Sequence, residues 1–534
     1  MHPYHREEFS TEEADVLRRY FTNLDGPVFA LVNLPEVVKG ALFARYSRTH
    51  KSLRRLFLDE FVGELDTRGD ASVDATVGLA RAEELYRRVF SEYGDDSVAQ
   101  LGGVHLACEQ ASNLLTKALE WGRLMAYLEQ STRYLAYDRR LGGRFRYHRP
   151  PAVLSSPLGT RYVATLDRAF TTYGELLEPV QAWLRTQHPK DPEVADLAYS
   201  RSIRAKAFDS LRGLLPAASL SNVGIYGTGQ SYELLVMRLR AHPLPEARAY
   251  AELVLGELRK VIPSFLTRLD RPDRGGAWTR YLADTAADTA AVAGELFGSV
   301  EPEPRPPVTL LDWDPDAEDK LLAAIAYPHT ALPDDQLLAL VRRLGPEDRA
   351  RLLRAFVGDR GNRRHRPGRA LERLGYRFDV VCDYGAFRDL QRHRMLTIQW
   401  QALSPRLGYD VPAAVDGAGL AAPYREVMDA SASLHDDLRA WFATEAAYAV
   451  ALGYRLRFVV DVNARAALHL IELRTQPAGH PGYRRIAQEM HRLIAEQAGH
   501  RLVAELMGFV DHAEPGLERL EGEERAEARR RASG

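Results

Sequence analysis

Four prolines fall within Ser299-Val300-Glu301-Pro302-Glu303-Pro304-Arg305-Pro306-Pro307. Proline locks φ and lacks a backbone N–H, so neither a helix nor a central strand runs through such a stretch, and an extended spacer is expected. At 534 residues the chain is also too long for one ordinary core, and its length is that of about two to four domains. The proline run therefore sets the first division of the fold. A second break is expected from Pro412 to Pro423, which is rich in Gly and Ala.

The texture on both sides is mainly helical. Ala247 to Ile262 and Tyr483 to Leu506 carry apolar residues at helical spacing. The runs Tyr376-Arg377-Phe378-Asp379-Val380-Val381 and Arg457-Phe458-Val459-Val460-Asp461-Val462 are β-branched and aromatic and read as strands. The order of elements is alike before and after the spacer, and Leu234 to Arg240 has a counterpart in Leu468 to Arg474. An old tandem duplication accounts for this, and two unrelated α+β domains remain the alternative.

Hydrophobic residues at 46% and charged residues at 27% describe a soluble globular protein. A net charge of -2 argues against a nucleic-acid partner or an acidic membrane. The two cysteines, Cys108 and Cys382, cannot build a disulfide framework or a cysteine zinc module and read as buried, inert thiols. No metal-ligand spacing stands out. The first residues lack the apolar run of a signal peptide, so a cytoplasmic protein is expected.

The chemistry concentrates in a few segments. Arg388-Asp389-Leu390-Gln391-Arg392-His393-Arg394 sets two guanidiniums about an imidazole, followed by a polar stretch ending at Ser404-Pro405-Arg406. Flat forks of N–H donors suit a phosphorylated ligand, and a solvated basic helix face explains the same residues equally well. Glu129-Gln130-Ser131-Thr132-Arg133-Tyr134 offers a carboxylate, a hydroxyl, a guanidinium and a phenol able to hold a uracil ring and a phosphate. Asn463 reads as a helix N-cap, with Arg465 and His469 one turn apart on the helix that follows and Arg474 at its end. Arg212 stands just before Leu214-Leu215-Pro216, where a helix is expected to end. Tyr226-Gly227-Thr228-Gly229-Gln230 lacks the strand–turn–helix context of a dinucleotide fingerprint, so no Rossmann domain is expected.

Taken in order, these motifs resemble the flavin-dependent thymidylate synthase (ThyX) family. That family has an Ala-Arg-x-Ser motif, an Arg-His-Arg signature followed by a polar stretch, a Glu-x-Ser-x-Arg-Tyr segment, an Arg before Leu-Pro, and a later Asn-x-Arg with a final Arg. The resemblance implies an α+β fold of long helices on a small mixed sheet, present as two tandem copies. An N-terminal extension (1–25) would precede the first copy (26–297). A linker (298–308), the second copy (309–512) and a charged, frayed tail (513–534) would follow.

The two copies are expected to be complementary. The first keeps Ala44-Arg45-Tyr46-Ser47, the Glu129 loop and Arg212, but has Trp121-Gly122-Arg123 and Gly229-Gln230-Ser231 where the family has Arg-His-Arg and Asn-x-Arg. The second keeps the Arg-His-Arg signature and Asn463, Arg465, His469 and Arg474, while its loop lacks the glutamate and retains Ser404 and Arg406. By resemblance, Ser47, His365, Arg392, His393, Arg394, Asn463, Arg465 and His469 would hold FAD. Glu129, Ser131, Arg133, Tyr134, Arg212, Ser404 and Arg406 would hold the nucleotide. Arg474 and Arg392 would act in catalysis, with NADPH and methylenetetrahydrofolate as co-substrates and dUMP as substrate. Because the family is homotetrameric, a fused pair of copies is expected to homodimerise.

Overall fold

A computed structural model of the chain describes residues 4–34, 36–46, 48–62, 102–514 and 516–533. It contains two four-stranded antiparallel sheets of the same topology. In the first, β1 (Val28–Leu31), β2 (Gly103–Ser112), β6 (Leu220–Thr228) and β3 (Met125–Glu129) lie side by side in that order. The short strands β4 (Arg140–Leu141) and β5 (Arg144–Phe145) form a separate hairpin. In the second sheet the order is β7 (Val308–Trp313), β8 (Gly375–Asp383), β10 (Arg455–Asn463) and β9 (Thr397–Trp400). The α+β expectation holds, with the sheets antiparallel where a mixed sheet was expected, and the repeated strand order is that of a tandem duplication.

Alternation explains the second sheet. In β8 and β10 every second residue is buried, namely Tyr376, Phe378, Val380 and Cys382, and Leu456, Phe458, Val460 and Val462. One face is thus apolar, and the amphipathic helix Pro481–Glu496 packs against it. In the first sheet the strands are buried more continuously. Phe21, Phe29, Leu31, Phe43, Tyr46, Leu56 and Phe57 form one core there with Leu17, so residues expected as a mere extension contribute to it.

The compact units do not coincide with the two copies. One unit comprises the described residues of 1–175, 214–302 and 423–451, and the other comprises 176–213, 303–422 and 452–534. Each copy therefore lends a helical segment to the unit dominated by the other. Helix Asp196–Leu211 buries Ile203, Phe208 and Leu211 and packs against Ala413–Gly417 and Leu520–Ser533. Helix Ala421–Arg439 buries Tyr424, Met428 and Leu434, and Arg168 reaches Glu426 at 2.5 Å. Linear boundaries at 297 and 309 mark copies of sequence rather than units of packing.

The tail also differs from expectation. Lys206 meets Glu518 at 2.5 Å and Arg201 meets Glu523 at 3.6 Å, so the charged helix Leu520–Ser533 is docked rather than frayed. No helix among the described residues is long and apolar enough to cross a membrane.

Candidate active site

The signature segment starts from a capped helix. Asp383 ends β8 and its carboxylate accepts from the Ala386 N–H at 2.8 Å, starting helix Tyr384–Leu390. That helix delivers Asp389 and, just past its end, Arg392 and His393. A second capped helix faces them. Asn463 accepts from the Ala466 N–H at 2.9 Å, so helix Ala464–Arg474 carries Arg465, His469 and Arg474 at its start, middle and end.

The two helices meet through Arg474. Its Nε donates to His393 Nε2 at 2.9 Å, and its Nη2 donates to the Asp389 carbonyl. The guanidinium also lies 5.1 Å from the centre of the Tyr483 ring. The Asp389 carboxylate pairs with Arg392, lies 3.5 Å from Arg212 and stands 4.0 Å from Arg474. Arg212 is buried, with Asp383 at 3.8 Å, and its Nε and Nη2 find no hydrogen-bond partner among the described residues. A Cβ on Gly385 would come within 3.0 Å of Arg212 Nε, so glycine leaves the room that the guanidinium fills.

Because His393 Nε2 accepts from a guanidinium, the imidazole is neutral with its proton on Nδ1. Burial, then Arg474, His469 and Arg392, hold its pKa well below the ordinary range. The His469 ring stands edge-on to it at 5.6 Å, and burial together with Arg366 and Arg363 pulls His469 down to about 4. Protons taken up by the unfolded chain near 6.5 are thus refused by the folded one until about pH 4. Stability should fall as pH drops through this window. Ring NMR of the histidines checks it: a His469 midpoint near 6.5 would show that the field of Arg363 and Arg366 is absent.

Loop residues close the site. Arg465 donates to the Pro367 carbonyl at 3.2 Å and pairs with Glu372 at 3.2 Å, tying loop to helix. His365 sits in this loop, its Nδ1 accepting from the Gly361 N–H at 3.1 Å and its Nε2 lying 3.2 Å from Asn362 Nδ2. Arg394 is exposed. Ser404 and Arg406 lie at the short turn Pro405–Leu407 after β9.

The other unit carries the Glu129 loop. Glu129 ends β3, buried, with Lys117 Nζ at 3.2 Å, and the same ammonium reaches Glu120 at 2.6 Å. The Arg133 N–H donates to Ser131 Oγ at 3.2 Å, and Arg48 lies over the Tyr134 ring at 5.3 Å. Ser47 lies outside the described residues.

Helix caps give the correspondence between copies. Counting from Ser112 and Asp383, Trp121 and Gly122 stand where Arg392 and His393 stand in the second copy, and Ala118 stands at Asp389. Counting from Thr228 and Asn463, Gln230 matches Arg465 and Leu239 matches Arg474, one residue earlier than the expected Gly229-Gln230-Ser231 alignment. Glu129 pairs with Val223 and Trp400 with Phe458, equivalent positions of β6 and β10, so Trp400 stands in the glutamate's place.

Residues 43–264 and 309–498 match the family described as "Thymidylate synthase complementing protein". The chain belongs to this family. The match falls once in each copy, so the duplicated strand order and the duplicated family match agree. Among relatives, a UPF0159 protein of Chlamydia muridarum is 40% identical over 525 residues, covering 98% of this chain and 99% of that protein. One from Chlamydia pneumoniae is 38% identical over 526 residues, covering 98% of each. A solved structure described as a UMP/dUMP methylase PolB from Streptomyces cacaoi, bound with 5-Br dUMP, is 18% identical. It covers 39% of this chain and 97% of its own, with a TM-score of 0.30.

Within the family's motif set, sequence reasoning missed Asp383 and Asp389 as the carboxylates that organise the arginines, although Asp389 lies inside the quoted signature. It also missed the buried pair Arg360–Glu472, a two-pronged contact at 2.7 Å and 2.7 Å beneath helix Ala464–Arg474.

Proposed function

We propose that this chain methylates C5 of a uracil nucleotide, converting dUMP to dTMP with FAD, NADPH and methylenetetrahydrofolate, and that it works as a homodimer. The observation that carries the reading is Arg474, a mostly buried guanidinium held at two of its nitrogens by His393 and the Asp389 carbonyl. A cation oriented in advance lowers the barrier where charge develops, here on a carbonyl oxygen of the pyrimidine. His393 stays neutral, which preserves its acceptor nitrogen for Arg474 and leaves its Nδ1–H as a donor. Asp389 keeps Arg392 and Arg474 from repelling each other apart.

The donor set of the second unit fits an anionic dinucleotide. Arg363, Arg366 and Arg394 add positive charge beside Arg392, His393 and His469, and the Arg212 nitrogens are buried donors with capacity to spare. Arg392, His393, Arg394, Asn463, Arg465, His469 and His365 would hold FAD. Reduced flavin, when bound, supplies the hydride. Within this unit Arg212, Ser404 and Arg406 would bind nucleotide, and within the other unit Glu129, Ser131, Arg133 and Tyr134 would do so. A second reading, C5 modification of a different pyrimidine nucleotide, draws on Trp400 in the place of the glutamate, since an indole stacks on a base instead of accepting a hydrogen bond.

Tritium release from C5-labelled dUMP, with NADPH and methylenetetrahydrofolate present, tests the reaction. A yellow protein that releases no tritium from dUMP or dCMP would leave binding without catalysis. Arg392→Ala and Arg465→Ala should each weaken FAD by about ten- to hundredfold through loss of a charged contact. If both variants purify with full flavin absorbance, the cofactor assignment fails.

A further inference from the structure

Helix Ala277–Phe297 is 21 residues long and none of them is buried. It lies between the two family-matched segments, 43–264 and 309–498. Exposed helices are usually polar, and this one is not. Trp278, Leu282, Thr285, Thr289, Val292 and Leu296 follow one another at steps of four, three, four, three and four. That is the heptad seam of a two-stranded coil, in which each seam side chain expects a partner helix. Val292 is 53% exposed, Leu296 60% and the flanking Tyr281 67%. The charged residues Arg280, Asp284, Asp288 and Glu295 lie off the seam.

We propose that this helix pairs antiparallel with the same helix of a second copy of the chain. In that register Trp278 packs on the partner's Leu296, Leu282 on the partner's Val292, and Thr285 on the partner's Thr289, each contact occurring twice about a two-fold axis. Large side chains meet large ones at both ends, and hydroxyls meet hydroxyls in the middle. Charge selects the direction. The N-terminal end carries Arg274 and Arg280 and the C-terminal end Glu295 and Glu301, so antiparallel pairing sets cations beside carboxylates at both ends, while Asp288 meets its own copy near the axis. Parallel pairing would set like charges together and lay the helix dipoles side by side with like ends adjacent. The seam is also self-complementary, as a closed two-fold contact requires.

The proposal is independent of the proposed reaction and is read by mass alone. Light scattering on the full chain should report a dimer that Leu282→Asp with Val292→Asp weakens by about a hundredfold or more, since a charge in each half of the seam has no partner. Both positions are exposed in the single chain, and unchanged far-UV circular dichroism should show that the variant is folded. Cysteine pairing then fixes the direction. Asp288 lies near the two-fold axis, so Asp288→Cys should form a disulfide-linked dimer on mild oxidation, whereas Leu282→Cys, facing Val292, should not. Cys108 and Cys382 are both buried and do not compete. A wild-type monomer at high concentration, a mass unchanged by the double substitution, or cross-linking at position 282 instead of 288 would each overturn it.

Discussion

Arg474→Ala should lower the rate of tritium release from C5-labelled dUMP by about 10²–10³-fold, the cost of removing one preorganised charge-stabilising group. Two features make this the largest effect expected on activity. The guanidinium is oriented from two sides, by His393 Nε2 at 2.9 Å and by the Asp389 carbonyl. Burial disfavours its charge, and Asp389 offsets that, so the cation is held in a medium where its field is weakly screened. Arg474→Lys keeps the charge but cannot reach both partners, so it should recover only a small part of the loss. Flavin content separates catalysis from binding: it should stay near normal in the alanine variant. Activity within about threefold of the wild type would remove Arg474 from the mechanism.

Glu472→Ala should be the most damaging substitution for stability. Glu472 and Arg360 are both buried and share two contacts of 2.7 Å each. Deleting the carboxylate leaves a guanidinium without its counter-charge, a loss of about 3–5 kcal/mol. For a unit of this size that shifts the thermal midpoint by about 10 °C. Since Glu472 follows His469 on the same helix, flavin affinity should fall with it. A double variant, Arg360→Met with Glu472→Leu, removes both charges and should recover much of the stability. If the single variant melts within about 2 °C of the wild type, the pair is not the support it resembles.

Much of the site was legible in local sequence because its parts are local. The run Asp389, Arg392, His393 spans one helix end, and Asn463, Arg465, His469 and Arg474 repeat at helical spacing behind an N-cap, so counting residues suffices to put each group on one short helix. The strands β8 and β10 were legible for the same reason, as alternation of apolar residues depends only on neighbours. Glu129 shows where local reading stops. Its residue type suits a base-binding carboxylate, yet its side chain is buried against Lys117, a contact set by how β3 lies on the sheet.

The sequence by itself determined the tandem architecture, the proline spacer, the family and the positions of the capped helices, since each depends on residue type and spacing over short stretches. Only the tertiary structure decided which groups meet. Arg212 is separated from Asp389 by about a third of the 534-residue chain and belongs to the other copy, yet the helix that ends at Leu211 packs in the second unit and brings Arg212 to 3.5 Å from that carboxylate. The exchange of helices between copies leaves no mark on spacing or composition, because an apolar helix face of the same shape is satisfied by either unit, and the packing partner is chosen by complementarity over the whole surface.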